Sequence, residues 1–294
     1  MELRVCSVHR REMTVLVRGR ETSATVSGKV FLERPPAAGD IAVVEMEEGK
    51  PHVVEILPRR NSLQRPVLSG MQVIAANIDL AMVLVSLRDP PLRRGFVERS
   101  AASATWSGLQ VMVLVNKVDL AAEDDREMLA RLELDCGRAG FAFGLASCVT
   151  GTGLDAVRSA VSGRSVVMTG PSGAGKTTLI RILSGRDDLK TGPLSGRTGK
   201  GMHTTVGARV MPMACGGFLI DTPGLKVLPV SHIPRGEMKN CFPDIAVLGT
   251  ACRFRDCLHS GEPGCAVKAA VEEGSLSGER YAAYRSLLEE VSRG

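Results

Sequence analysis

Ser165-Val166-Val167-Met168-Thr169 runs directly into Gly170-Pro171-Ser172-Gly173-Ala174-Gly175-Lys176-Thr177-Thr178. The first five residues read as a buried strand, and Lys176 to Ser184 carries the apolar spacing of a helix. Between them lies the glycine, lysine and hydroxyl spacing of a phosphate-binding loop. The glycines let backbone N–H groups close around phosphate oxygens, and Lys176 reaches the β and γ oxygens. Thr177 can ligate magnesium, Thr178 belongs to the same cradle, and the helix start adds its dipole. A strand before the loop and a helix after it separate this pattern from a chance glycine-rich turn.

Upstream, Asn116-Lys117-Val118-Asp119 follows the apolar run Val111 to Val115. It therefore sits at the carboxyl end of a strand, where open α/β sheets bind ligands. The Asp119 carboxylate can accept from the ring N–H and the exocyclic amine of guanine, a donor pair that adenine lacks. The Lys117 stem can cover the base, Asn116 can tie this loop to the phosphate loop, and Val118 completes the base-binding set. Ser147-Cys148 is expected to support the guanine through backbone groups. Downstream, Asp221-Thr222-Pro223-Gly224 follows the strand Gly217 to Ile220. That order places a carboxylate near magnesium and the Gly224 N–H near the γ-phosphate, as a sensor of nucleotide state. Gly199-Lys200-Gly201-Met202-His203-Thr204-Thr205 supplies further hydroxyls for the metal, from Thr204 and Thr205, in a glycine-rich segment.

Around these motifs the chain divides in three. Residues 1–65 contain short β-rich pieces, including Thr14 to Val17, Ala24 to Val26, Val30 to Leu32, Ile41 to Val44 and His52 to Leu57. Five short strands without a convincing helix suit a small barrel. An OB-fold is the first choice, with an SH3-like barrel or a plain sandwich nearly equal. Pro58 to Pro66 is polar, basic and proline-bounded, and reads as a linker able to touch phosphate. Residues 70–228 alternate continuous apolar strands with helical patterns, which predicts a parallel sheet covered on both faces. Residues 229–294 are irregular and poor in apolar residues around a Cys/His cluster, and end in a helix from Gly278 to Val291.

With 294 residues and 44% apolar content the chain can bury several cores, which excludes disorder as its main state. A net charge of +5 is compatible with a polyanionic partner but decides little. No segment reaches membrane-spanning length without a charge or a turn signal, so a cytoplasmic protein without membrane contact is expected. In a reducing compartment, Cys252, Cys257, His259 and Cys265 suggest a metal before a disulfide. Three thiolates and one imidazole match the softness and number that tetrahedral zinc prefers. A full set of protein ligands leaves no open position, which makes the predicted site structural, with one ion per chain. The competing reading is buried thiols beside a surface histidine. Cys6, Cys136, Cys215 and Cys241 are read as core or near-core residues.

The motifs resemble the translational GTPase superfamily, but in permuted order: base loop first, phosphate loop second, switch segments last. That order, a small β-barrel before it and the tail Cys252 to Val267 after it are similar to the bacterial family of GTPases that depend on the small ribosomal subunit, the RsgA or YjeQ family. The resemblance covers nearly the whole chain. It implies a circularly permuted GTPase of class α/β that hydrolyses GTP to GDP and phosphate, with magnesium bound alongside the nucleotide. It further implies a role in late maturation of the small subunit, with both flanking domains touching rRNA, and a monomer is expected. Lys176, Thr177, His203 and Asp221 are the residues expected to carry catalysis. Met202 and Val206 depart from the arginine and third threonine frequent in the family, and no role is carried onto Arg93 or Arg94. The rival from another class is a nucleotide-gated rRNA-binding scaffold with little hydrolysis. A P-loop kinase would leave Asn116 to Asp119 without a purpose.

Overall fold

The computed structural model describes residues 1–9, 12–47, 49–68, 70–185, 207–222 and 227–292. At the amino end, β1 (Glu2–His9), β2 (Glu12–Val17), β3 (Arg20–Val26), α1 (Gly28–Glu33), β4 (Ile41–Glu47) and β5 (Lys50–Ile56) follow in order. β1, β2 and β3 pair antiparallel, β3 pairs parallel with β5, and β5 pairs antiparallel with β4. β4 returns antiparallel to β1 and closes the ring. That strand order decides for the OB-like barrel over its two rivals. Alternation along the strands points Val5, Met13, Val15, Ala24, Ala42, Val44 and Val53 into one core.

Two expectations for this region need correction. Val30 to Leu32 is helical in α1, not a strand: Ser27 caps it by accepting from the Val30 N–H at 3.4 Å, and only Val30 is buried. Three consecutive apolar residues are too few to separate the two periods. The supposed linker contains β6 (Ser62–Val67), which pairs antiparallel with β7 (Gly70–Ala76) in a separate two-stranded sheet. Pro66 is tolerated there because it lies on β6, which pairs only with β7 among the described strands, whereas β7 also bridges Ala38 through Ala75. The basic residues are also engaged. Arg59 holds Asp40 with two bonds of 2.7 and 2.8 Å, and Arg60 holds Asp79 at 2.8 Å.

The chain contacts divide into two compact units, Met1–Leu80 with Asp155–Met168 and Lys176–Lys226, and Ala81–Leu154 with Thr169–Gly175 and Val227–Gly294. The next elements are β8 (Leu80–Ser86), α2 (Arg94–Trp106), β9 (Gln110–Asn116), α3 (Asp125–Arg138) and β10 (Ala142–Leu145). Their strands lie in the order β10-β9-β8, with β9 and β10 parallel. β8 is buried along its whole length, as its unbroken apolar run requires. Then come α4 (Leu154–Val161), β11 (Ser165–Thr169), α5 (Lys176–Ser184), β12 (Arg209–Pro212) and β13 (Phe218–Asp221). β11 and β13 are parallel, β12 runs antiparallel to β13, and Arg209 of β12 pairs with Ser7 of the barrel.

The carboxyl region contains α6 (Pro243–Gly249), α7 (Ala266–Glu272) and α8 (Gly278–Glu290). It is not poor in apolar residues once folded. Met238, Phe242, Ile245, Val267, Tyr284, Leu287 and Leu288 form a core, and the rings of Phe242 and Tyr284 meet edge to face at 5.4 Å. Their wide spacing along the chain hid them from a local reading. No described helix is long and apolar enough to cross a membrane.

Candidate nucleotide site and metal cluster

β8 and β9 end at loops that meet the phosphate loop. A side chain at Gly170 would place its Cβ 2.2 Å from the Leu84 carbonyl oxygen, so only glycine lets the loop leave the sheet here. Gly175 has φ +98°, and a Cβ there would lie 2.2 Å from Asn116 Nδ2. Asn116, 2% exposed, uses that amide to donate to the Ala174 carbonyl at 2.8 Å, and its Oδ1 accepts from the Cys148 N–H at 3.1 Å. One buried side chain thus joins the phosphate loop, the base loop and the loop after β10.

Lys117 opens a short 3-10 turn, Val118–Leu120, from a left-handed backbone at φ 62°. Its ammonium donates to the Asp89 carbonyl. Asp119 is exposed on that turn, and the fully buried Ser147 donates its hydroxyl to Asp119 Oδ1 at 2.5 Å. Ser147 thus engages Asp119 through its side chain, and the Cys148 N–H donates to Asn116. Burial pushes the Cys148 thiol up, with its bond to Asn116 working the other way.

In the other unit, Lys176, Thr177 and Thr178 open α5 half-buried, and Asp221 ends β13. Burial pushes the Asp221 carboxyl above its ordinary range, while the Lys176 charge and the Thr222 N–H pull it back. The Thr222 hydroxyl is buried without a hydrogen-bond partner among the described residues. A desolvated carboxylate beside an orphaned hydroxyl suits a hard, oxygen-seeking cation such as magnesium. His203, Thr204, Thr205 and Gly224 lie outside the described residues, as do Met202, Val206 and Leu225.

Cys252, Cys257, His259 and Cys265 are brought together with their ligand atoms within 4.8 Å of one another. His259 Nδ1 is 3.5 Å from the sulfurs of Cys252 and Cys265, which are 4.0 Å apart. An ideal tetrahedral ion with these ligands has sulfur–nitrogen edges of about 3.5 Å and sulfur–sulfur edges of about 3.8 Å. The donor set and spacing therefore fit a closed, four-ligand metal site. His259 takes a left-handed backbone at φ 57°, and its ring packs over Gly249, where a Cβ would be 3.0 Å away. The ligand loop is held from within and from α8. Glu262 accepts from the N–H groups of Leu258, Ser260 and Gly261. Burial alone would raise its pKa, but these bonds bring it down to about 2. Tyr281 donates to the His259 carbonyl at 2.6 Å and Tyr284 to the Leu258 carbonyl at 2.7 Å.

Sequence reasoning missed two constellations. Arg280 of α8, 2% exposed, donates to both Asp244 oxygens at 2.5 and 2.8 Å and to Glu98 of α2. Its guanidinium lies 5.5 Å from the Phe141 ring and 5.0 Å from the Phe242 ring. Burial opposes its charge, yet Asp244 and Glu98 outweigh that and raise its pKa. Arg94 also bonds Glu98, at 2.9 Å, and reaches Asp135 of α3, which accepts from Ser277 at 2.9 Å. The second is the loop after β8, for which the turn signal Asp89-Pro90-Pro91 was the only trace.

A base loop that precedes its phosphate loop, joined to it by Asn116 in an α/β fold, defines a circularly permuted P-loop GTPase. Residues 56–231 match the RsgA GTPase family, and the chain belongs to it. The small ribosomal subunit biogenesis GTPase RsgA of Caldanaerobacter subterraneus subsp. tengcongensis is 35% identical over 257 residues, 87% of this chain and 83% of that protein. The protein of the same name from Gemmatimonas aurantiaca is 38% identical over 242 residues, 81% of this chain and 78% of its own. The crystal structure of YjeQ from Thermotoga maritima superposes with a TM-score of 0.81 at 27% identity, covering 99% of this chain and 98% of that one. YloQ, a circularly permuted GTPase, shares the fold with a TM-score of 0.78, covering 99% of this chain and 95% of its own.

Proposed function

We propose that this GTPase acts in late maturation of the small ribosomal subunit, with hydrolysis stimulated by that subunit and rRNA bound by the parts flanking the nucleotide domain. Support comes from the names of its relatives. The observation that carries the nucleotide assignment is the Asn116 bond to Ala174, which holds base and phosphate loops in one frame. We divide the chain functionally into a barrel at 1–65, a GTPase domain at 70–228 and a metal-binding domain at 229–294, working as a cytoplasmic monomer.

Asp119, oriented by Ser147, reads guanine, and Asn116, Lys117, Val118 and Cys148 complete the base pocket. Gly170, Ser172, Gly173, Ala174 and Gly175 present N–H groups to the phosphates, Pro171 shapes the same loop without an N–H of its own, and Lys176 neutralises charge growing on the β–γ bridge. Magnesium bound with GTP supplies Lewis-acid polarisation of the phosphate oxygens. Thr177 and Thr204 or Thr205 are the residues that would hold it, Asp221 would orient it through water, Thr178 belongs to the phosphate cradle, and Gly224 would sense the γ-phosphate. Leu225 stands where Ras-like enzymes carry a water-orienting glutamine and can neither donate nor accept. His203 is the polar group assigned to that water.

Steady-state phosphate release is expected to be slow alone and to rise strongly with small ribosomal subunits. His203→Ala should lose that rise while keeping GTP affinity. A mutant with full stimulated turnover makes His203 structural. Unmutated protein that stays slow with subunits is instead the nucleotide-gated rRNA-binding scaffold.

The metal we assign to Cys252, Cys257, His259 and Cys265 is one structural zinc. Chelation is expected to open the ligand loop first, so trypsin should cut at Arg253 and Arg255 before the Phe242–Tyr284 core is lost. Far less than about one zinc per chain, with digestion unchanged by chelator, would count against the assignment.

A further inference from the structure

We propose that the loop between β8 and α2 is a third nucleotide-positioning loop, in which Arg88 holds the turn that carries Asp119. The inference rests on the reading of Asp119 as the guanine-selective residue. The loop is braced on itself and on both nucleotide loops. Ser86 donates its hydroxyl to the Pro90 carbonyl at 2.6 Å, and the Leu87 N–H donates to the Asn116 carbonyl at 2.9 Å. The Pro90 ring lies against the phosphate loop, its Cδ 3.1 Å from where a Gly173 side chain would begin. Lys117 is tied to the Asp89 carbonyl.

Arg88 completes this frame on the base side. Its Nε donates to the Leu120 carbonyl at 3.2 Å, and its Nη2 donates to Asp125 Oδ2 at 2.7 Å. The same Asp125 oxygen accepts from the Ala122 N–H at 2.8 Å. One guanidinium thus grips the residue just after Asp119 and the first residue of α3, the two ends of the segment that aims the carboxylate. Asp119 is exposed, and Ser147 restrains only one of its oxygens, so the direction of the turn depends on this outer grip. Two acceptors at fixed separation suit the planar fork of arginine, whose Nε and Nη2 are spread apart; an ammonium offers its three donors from a single nitrogen and lacks that spread.

The Arg88 side chain is 47% exposed, and ion pairs of that kind contribute little to global stability. A folding effect and a positioning effect therefore separate. The experiment measures affinities of GDP, IDP and GMP for the unmutated protein and for Arg88→Ala, Arg88→Lys and Asp119→Ala. IDP lacks the exocyclic amine, so the GDP-over-IDP ratio reads the Asp119 contact, and the GDP-over-GMP ratio reads the phosphate loop. Arg88→Ala is expected to lower the first ratio about fivefold, within the range of a weakened charge-assisted bond, and to change the second less than about twofold. Arg88→Lys should recover part of the loss. Both ratios falling together in Arg88→Ala, or the first staying unchanged while Asp119→Ala abolishes it, overturns the positioning role alone. A GDP-over-IDP ratio that survives Asp119→Ala overturns the guanine reading and this inference with it.

Discussion

Asp119→Ala is expected to cost about 2–4 kcal/mol of GTP affinity, roughly 30- to 900-fold, the loss of the two charge-assisted hydrogen bonds to the base that we propose for this carboxylate. The loss should appear in affinity, since Asn116 and the phosphate loop keep their contacts to each other. Ser147 occupies one lone pair of Oδ1, which leaves the carboxylate enough acceptor capacity for both guanine donors. Competition titrations against a fluorescent guanine nucleotide measure the effect. Equal titration of ATP and GTP onto the unmutated protein would sink the base assignment outright.

Arg280→Met is expected to destabilise the unit containing α2, α6 and α8 by about 3–5 kcal/mol, a large share of ordinary domain stability. The substitution keeps much of the side-chain volume between Phe141 and Phe242 but strands Asp244 and leaves Glu98 with Arg94 alone, the two acids being 8% and 2% exposed. Truncation of the carboxylates as well, in Glu98→Leu and Asp244→Leu added to Arg280→Met, should restore part of that stability, since no uncompensated charge is then left buried. Urea unfolding of the single and triple variants tests this. A single variant within about 1 kcal/mol of the unmutated protein would mean that water reaches the acids and that the network is not dry.

The features legible in the sequence were those written in consecutive residues. The strand, loop and helix from Ser165 to Ser184, the base loop after β9, and the helix Leu154–Val161 are local patterns, and the structure returns them at nearly the expected bounds. The four metal ligands were legible because thiols and an imidazole are rare enough to stand out when close together. Features that depend on distant partners were not. Nothing near Arg280 announces Glu98, and nothing near Arg88 announces the Leu120 carbonyl, because side chains and main-chain atoms meet there only after the sheet forms. Val30 to Leu32 failed for a different reason: the cap at Ser27 outweighed a β-branched, apolar triplet whose length carried no period. The hairpin of β6 and β7 was hidden by prolines and arginines that usually mark a linker, but here lie on a two-stranded ribbon in which β6 has no other partner among the described strands.

The long separations across the buried acidic cluster set a biosynthetic timetable. Asn116 must wait 58 positions for its partner at Ala174, and Glu98 waits 182 positions for Arg280. At roughly 5–20 residues per second, the second interval lasts about 10–35 s. During that time α2 has left the decoding machinery while its Glu98 carboxylate has only Arg94 and water for company. The emerging chain therefore joins its base and phosphate loops more than a hundred residues before Arg280 arrives to neutralise its buried acids.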